Sequence, residues 1–96
     1  MARPLRAESV FRALAHAKRR RILLALLGDG ETPAGEILPP HEFTRPALSQ
    51  HLGALREAGL VTFRQRGNRL LYRTNTAALG PLREFLGRMD RASRAR

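Results

Sequence analysis

Apolar residues recur through most of the chain at the spacing of amphipathic helices. In the middle, Leu48, Leu52 and Leu55 lie at i, i+4 and i+7, so they share one face of a helix. The same pattern predicts helices in other segments, which are residues 8–16, 17–27 and 76–89. The chain is therefore predicted to be mainly helical, with the leucine helix at its centre.

The boundaries of the central helix follow from its sequence. Thr44 is a residue type that caps a helix N-terminus, and Pro46 suits the first turn because amide groups there have no intrahelical partner. Gly59 stands where a left-handed residue commonly ends a helix. Opposite the leucines, Ser49 and Gln50 are polar and uncharged, whereas a merely solvated helix more often carries Lys and Glu. A helix that enters the DNA major groove needs short hydrogen-bonding side chains near its N-terminus.

A short helix is predicted just before the central one. Residues 33–38 begin with proline after Thr32, a capping residue type, and contain two apolar residues. Pro39 and Pro40 end this helix, because proline disfavours a helical conformation in the residue before it. The short helix, a turn and the central helix together make a helix-turn-helix, in which the central helix (residues 44–59) is the recognition helix.

A basic β-hairpin is predicted immediately after the recognition helix. In residues 60–66 and 69–74 apolar side chains alternate with polar ones, and Gly67-Asn68 between them suits a two-residue turn. Three arginines surround this turn: Arg64, Arg66 and Arg69. Such a hairpin is typical of a winged helix, whose wing contacts phosphates or the minor groove. An ordinary edge hairpin that carries arginine against aggregation is the alternative, and the preceding recognition helix favours the wing.

The predicted fold is mainly α with a small β-hairpin wing (α+β), in the order α-α-α-α-β-β-α, and it occupies residues 8–89. Residues 1–7 are predicted to form a flexible basic arm, and residues 90–96 a disordered basic tail. The last helix has no obvious partner inside a winged domain, so we expect a homodimer built by the first and last helices. The predicted interface residues are Val10, Phe11, Leu14, Leu79, Leu82, Phe85, Leu86 and Met89.

The composition adds a strong positive charge. The 96 residues carry 18 Lys and Arg against 8 Asp and Glu, a net charge of +10 at pH 7, which raises affinity for a polyanion. The absence of cysteine excludes disulfides, thiolate metal sites and thiol redox sensing. No apolar run approaches the ~20 residues that span a bilayer, and the first residues lack the apolar core of a signal peptide. A cytoplasmic protein without a membrane partner, associated with the nucleoid through DNA, is therefore expected.

The polar residues form no recognisable catalytic or metal-binding pattern. The histidines lie on different predicted elements without metal-pair spacing: His16, His41 and His51. The glutamates of the turn-rich segment are expected to be solvated or to cap helices: Glu31, Glu36 and Glu42. Arg19 falls among apolar positions and is expected to be paired along the core, whereas Arg21 points away and is expected to be solvated. We therefore predict a protein that is not an enzyme and has neither metal nor cofactor.

With these elements placed, the chain resembles the ArsR family of bacterial winged-helix repressors. The resemblance runs over residues 8–89 and is carried by segments 11–15, 19–23, 46–61 and 69–73. It implies a homodimer that binds a pseudo-palindromic double-stranded DNA operator and blocks transcription. It also implies DNA contacts in the recognition helix and at the wing.

The predicted DNA-contacting residues combine the recognition helix with the wing. They are Thr44, Arg45, Ala47, Ser49, Gln50, His51, Arg64, Arg66, Asn68 and Arg69. Among them, Gln50 and Arg45 are the candidates for reading bases, because Gln pairs bidentately with adenine and Arg with guanine.

Departures from the family pattern point to its metal-independent branch, which includes autorepressors. His16-Ala17-Lys18 stands where the opening signature usually carries Asp-Pro-Thr. Residues 32–36, near the cysteine motif of metal-sensing members, contain no thiol, and the last helix contains no histidine. The identity of an effector, whether small molecule or protein, stays open.

Two other classes of function compete with the DNA-binding regulator. A basic RNA- or ribosome-associated module would use the same charge, but RNA binders commonly stack bases on exposed aromatic residues. Here the aromatic residues mostly fall at apolar-face positions. An adaptor that binds a different protein through the last helix is the other alternative, and it predicts a monomer.

Overall fold

A computed structural model describes residues 7–95, which form a winged helix-turn-helix with four α-helices and a three-stranded antiparallel sheet. The helices are α1 (Ala7–Leu14), α2 (Ala17–Asp29), α3 (Arg45–Glu57) and α4 (Gly80–Arg94). The strands are β1 (Thr32–Pro33), β2 (Val61–Arg66) and β3 (Arg69–Thr74). Short 3₁₀ turns occupy Ala34–Glu36, Pro40–Glu42 and Thr76–Leu79. Residues 1–6 of the predicted arm and residue 96 of the predicted tail lie outside the described residues.

The recognition helix α3 begins and ends as its sequence predicts. The Thr44 hydroxyl accepts a hydrogen bond from the amide of Ala47 at 3.2 Å, which satisfies one of the free donors of the first turn. Leu52 and Leu55 are buried on its inner face. After the helix, Gly59 adopts a φ of 79°, a left-handed conformation that favours glycine.

An arginine joins the first two helices where a cap is missing. His16 precedes α2 in an extended conformation, and its side chain caps nothing. The Arg20 guanidinium instead donates to the carbonyl of Leu14 at 2.7 Å, at the C-terminal end of α1. This contact satisfies a carbonyl that has no partner within the helix.

The sheet contains one strand more than the predicted hairpin. Strand β1 pairs with β3, with Thr32 opposite Tyr72, so the strand order is β1-β3-β2. The predicted short helix over residues 33–38 is wrong, because Pro33 is extended and only one 3₁₀ turn follows it. Gly35 weakens any helix there, and Pro39 stops it within a few residues. The hairpin itself is confirmed, and Gly67 has the positive φ of 61° that the first position of a type II′ turn requires.

One hydrophobic core joins α1, α2 and α3 to the base of the sheet. Its largest fully buried side chains are Val10, Ile22, Leu26, Leu55, Leu60 and Val61. The side chain of Asn75 joins the end of β3 to the start of β2, because its amide donates to the carbonyl of Gly59 at 3.0 Å. The outer surface of α3 is thus oriented by the same core that fixes the base of the wing.

The last helix is longer than predicted. Helix α4 continues to Arg94, so residues 90–94 are helical. The prediction that these residues are disordered is therefore wrong. The segment after Gly87 contains no glycine or proline, and Asp90 pairs with Arg94 at 3.0 Å, one helical turn apart.

Burial of the α3 leucine stripe should dominate the stability of the domain. We expect Leu55→Ala to lower the free energy of unfolding by about 2–5 kcal/mol, because Leu55 is 0% exposed and its removal leaves a cavity. The matched control is Leu24→Ala, at a leucine that is 68% exposed on α2, with an expected change within about 0.5 kcal/mol. Urea denaturation followed by circular dichroism measures both. Equal losses in the two variants would contradict the packing described above.

Candidate nucleic-acid interface

The first two turns of α3 present a polar surface to solvent. Arg45, Ser49 and Gln50 are exposed; Gln50 lies on the side of the helix opposite its buried leucines, and Arg45 lies on the flank of the leucine stripe in the first turn. Thr44 is exposed as well, but its hydroxyl serves as the helix cap, and Ala47 is half-buried. Because Thr44 is engaged as the cap and Ala47 is half-buried, Arg45, Ser49 and Gln50 are the side chains best placed to reach a ligand outside the helix.

His51 differs from the other predicted DNA contacts because it is packed between helices. It is half-buried, and its ring lies 5.9 Å from that of Phe43 and 6.3 Å from that of His16. The Nε–H of Arg19 donates to His51 Nδ1 at 3.2 Å, which requires this nitrogen to be unprotonated. The prediction that Arg19 is paired is therefore confirmed, and its partner is His51. This bond joins α2 to α3.

The same surroundings keep His51 neutral. Burial lowers the pKa of His51 below its ordinary value, and the positive charges of Arg19, His16 and Lys18 lower it further. A neutral imidazole is the state that accepts the bond from Arg19. In the free protein His51 thus positions α3, whatever further role it has toward DNA.

Two of the three predicted wing arginines are already held by carboxylates. Arg64 donates through Nε and Nη2 to the two carboxylate oxygens of Glu31, each at 2.7 Å. Arg69 forms an ion pair with Glu36. Within residues 7–95 no carboxylate lies within ion-pair distance of Arg66, and Asn68 is exposed in the turn.

The loop glutamates, predicted to be solvated or to cap helices, each form an ion pair with an arginine, and Glu31 and Glu36 remain exposed residues. Besides the two wing pairs, Glu42 binds the guanidinium of Arg21, which is exposed as predicted but paired. The guanidinium of Arg64 holds the pKa of Glu31 below its usual range, and that of Arg21 does the same for Glu42. The partners are 21 or 33 residues apart in sequence, so no local spacing indicates them.

A contact between Arg56 of α3 and Phe63 of β2 fixes the wing against the recognition helix, and the sequence analysis did not predict it. The Arg56 guanidinium lies over the ring of Phe63, with 4.6 Å between the guanidinium carbon and the ring centroid. Phe63 in turn packs on Tyr72, with ring centroids 5.4 Å apart. Together with the bond from Asn75 to Gly59, these contacts hold the wing beside the C-terminal end of α3.

The predicted dimer surface divides into a core part and an exposed part. Val10 is fully buried in the core of its own chain, so its assignment to the interface is wrong. Phe11 packs edge-on against Phe85 at 5.6 Å between centroids, which places α4 against α1 of the same chain. Leu14, Leu79 and Leu82 are partly buried. The remaining side chains stay exposed: Phe85 at 48%, Leu86 at 54% and Met89 at 55%.

The described residues contain neither a metal-binding cluster nor a membrane-spanning helix. Between residues 7 and 95, no three His, Asp or Glu side chains converge where they could hold a metal ion. In the same part of the chain, every helix is too short or too polar to cross a membrane.

Comparison with known proteins places this architecture in a family. Residues 14–62 match a helix-turn-helix domain family. The transcriptional repressor SdpR of Bacillus subtilis is 34% identical over 71 residues, which are 74% of this chain and 78% of that protein. An ArsR-like transcriptional regulator from Rhodococcus sp. RHA1 superposes with a TM-score of 0.75 at 34% identity, over 92% of this chain and 84% of that one. The chain belongs to the ArsR family.

ArsR-family membership makes this protein a DNA-binding transcriptional regulator. Its similarity is not limited to repressors, because the transcriptional activator HlyU of Vibrio cholerae is 35% identical over 80 residues. That alignment covers 83% of this chain and 73% of the activator. The resemblance in the sequence is thereby confirmed at the level of the family and its winged fold.

The His51 contact predicts a loss of stability at mildly acidic pH. The pKa of folded His51 lies below its ordinary value of 6.5, so the unfolded chain takes up a proton first. Stability should be full above about pH 6.5 and should fall as the pH drops from there through the lower pKa of the folded state. In His51→Gln the amide oxygen can still accept from Arg19 without titrating, so this variant should lose less stability between pH 7.5 and 5.5. Urea denaturation at each pH measures the difference, and equal pH slopes would count against this role.

Proposed function

We propose that this protein is a dimeric repressor that binds a pseudo-palindromic DNA operator without using thiolate metal sensing. The observation that carries the proposal is the exposed polar face of α3, formed by Arg45, Ser49 and Gln50, beside a basic hairpin. The contact of Arg56 with Phe63 fixes these two elements relative to each other. A groove-reading helix and a phosphate-binding wing need that fixed relation to engage one duplex together.

Within this proposal, base reading falls to the start of α3. Gln50 and Arg45 are exposed and have the donors and acceptors that match adenine and guanine edges. Thr44, Ala47 and Ser49 then lie close enough to the groove to contact its backbone. His51 contributes indirectly, by holding α3 against α2 through Arg19.

Phosphate binding falls to the wing and to the overall charge. Arg66 and Asn68 flank or occupy the exposed turn, while Arg64 and Arg69 are nearby in ion pairs. A two-fold dimer carries 2 × 10 = +20 formal charges, which favours association with DNA from a distance. The RNA-binding alternative would need exposed aromatic rings for base stacking; Phe63 is 37% exposed, but its ring is already in contact with Tyr72 and with the guanidinium of Arg56.

The dimer would be built on α4 and the adjoining surface of α1. Phe85, Leu86 and Met89 form an exposed apolar stripe beside Phe11, and exposed patches of this kind mark association surfaces. Two-fold pairing would separate the two α3 helices by about one DNA turn, ~34 Å. This spacing is the physical source of a pseudo-palindromic operator.

Selection of bound duplexes from random DNA tests the proposed function. The wild-type protein should enrich a two-fold symmetric motif, and added divalent metal should not change it, because the chain has no thiolate ligand. A parallel selection with Gln50→Ala should relax one position in each half-site and weaken the wild-type site by about 1–3 kcal/mol. Wild-type enrichment of no motif at all would refute the proposal, and equal loss on scrambled DNA would remove Gln50 from base reading.

The proposed dimer predicts that charge on the α4 stripe gives monomers. Leu86→Glu should shift the protein from dimer to monomer, because a carboxylate would be buried without a partner at the interface. Leu24→Glu is the matched control, since Leu24 is a similarly exposed leucine on α2 and should leave the dimer intact. Light scattering after size exclusion gives the mass directly. A monomeric wild type, or a Leu86→Glu variant that remains dimeric, would contradict this interface.

A further inference from the structure

The basic face of the wing is half neutralised before any DNA arrives. The register of β2 and β3 places four arginines on this face: Arg64, Arg66, Arg69 and Arg73. Two of them are bound by glutamates from outside the hairpin, since Glu31 immediately precedes β1 and Glu36 belongs to the following 3₁₀ turn. The wing is therefore less positive than its arginine content suggests.

We propose that Glu31 and Glu36 occupy the guanidinium sites that DNA phosphates take, so that the wing binds DNA by exchanging carboxylate for phosphate. These two glutamates then set the affinity of the protein for DNA and its response to salt. The inference rests on the proposed DNA-binding role of the wing.

The geometry of the pairs supports exchange. Arg64 presents Nε and Nη2 to the two oxygens of Glu31, which is the same fork that binds two oxygens of a phosphate. The side chains of Arg64 and Arg69 are each more than half exposed, so a phosphate can approach them without any unfolding. Glu36 is also more exposed than buried, and it can swing aside as the phosphate binds.

Exchange also has a defined effect on counterions. When a free arginine neutralises a phosphate, a cation leaves the DNA, and the logarithm of the binding constant changes by about 0.9 per tenfold change in salt. When the arginine first leaves a glutamate, the abandoned carboxylate attracts a cation from solution. The net cation release for that contact is then reduced, so the wild-type protein should show a shallower salt dependence than its wing charge implies.

Removal of the carboxylates should therefore strengthen DNA binding. In Glu31→Gln/Glu36→Gln the arginines lose their charged partners and keep at most a neutral amide acceptor, so each substitution should tighten binding by up to about fivefold, the range of a surface ion pair. The salt slope should become steeper by up to about 2, the limit for two phosphate contacts. Because phosphates are common to all sequences, the gain should be equal on the operator and on a random duplex.

The matched control adds the same charge elsewhere. Glu8→Gln/Glu84→Gln also raises the net charge by two, at exposed glutamates of α1 and α4. This control should bind DNA more tightly only through the weak long-range effect of charge, with a salt slope close to that of the wild type. Thermal melting should confirm that both double variants are folded, since exposed ion pairs contribute little to stability.

The decisive measurement is the affinity for a random 30-base-pair duplex as a function of salt. Tighter binding and a steeper slope for Glu31→Gln/Glu36→Gln than for the control support the exchange. Equal or weaker binding than the control overturns it, because the glutamates would then brace the wing and not compete with DNA. If wild-type protein and all variants fail to bind any duplex, the proposed function fails as well, so the two failures are distinguishable.

Discussion

Burial of the leucine stripe of α3 is the interaction on which the rest of the molecule depends. Leu52 and Leu55 enter a core that also contains Ile22 and Leu26 of α2. Because side chains of a helix repeat every 3.6 residues, burial of these leucines places Ser49 and Gln50 on the exposed surface of α3. The bond from Arg19 to His51 adds a polar contact at the edge of the same helix packing, so the rotation of α3 is fixed by both apolar and polar groups.

The wing inherits its position from this core through a few specific contacts. Leu60 and Val61 are buried where the chain leaves α3 and enters β2, so the base of the hairpin belongs to the core itself. Farther out along β2, a cation–π contact between Arg56 and Phe63 holds the strand against α3. Beyond them the strand is exposed on both faces. A wing with a fixed base and an exposed tip can adjust to the backbone of a duplex while its distance from α3 is kept.

The elements of the fold follow from local sequence patterns, but many contacts of the candidate site do not. The leucine period, the Thr44 cap and the Gly67 turn act over a few residues, and each predicted its element correctly. Strand β1 has only two residues, which is too short for any period to show. The pairs of Arg19 with His51 and of Arg64 with Glu31 join residues 32 and 33 positions apart, so they depend on tertiary packing that no local spacing encodes. Val10 was wrongly assigned to the dimer interface for a related reason. The apolar face of an amphipathic helix does not show whether the core of its own chain or a second chain covers it.

Under the proposed function, arginine has two tasks in this small domain, and the tasks compete. A chain with a net charge of +10 repels itself when it folds, and pairing of its arginines with Glu31, Glu36 and Glu42 relieves this repulsion around one segment. The same guanidinium groups are the ones that bind phosphate best, because their planar fork fits both acceptors. The side chains of Arg64 and Arg69 are more than half exposed, and ion pairs of exposed groups contribute little to stability, so under the proposed exchange a phosphate can replace the carboxylate. Strong pairing would stabilise the free protein at the expense of DNA affinity, and the exposure of the Arg64 and Arg69 side chains keeps the two demands compatible.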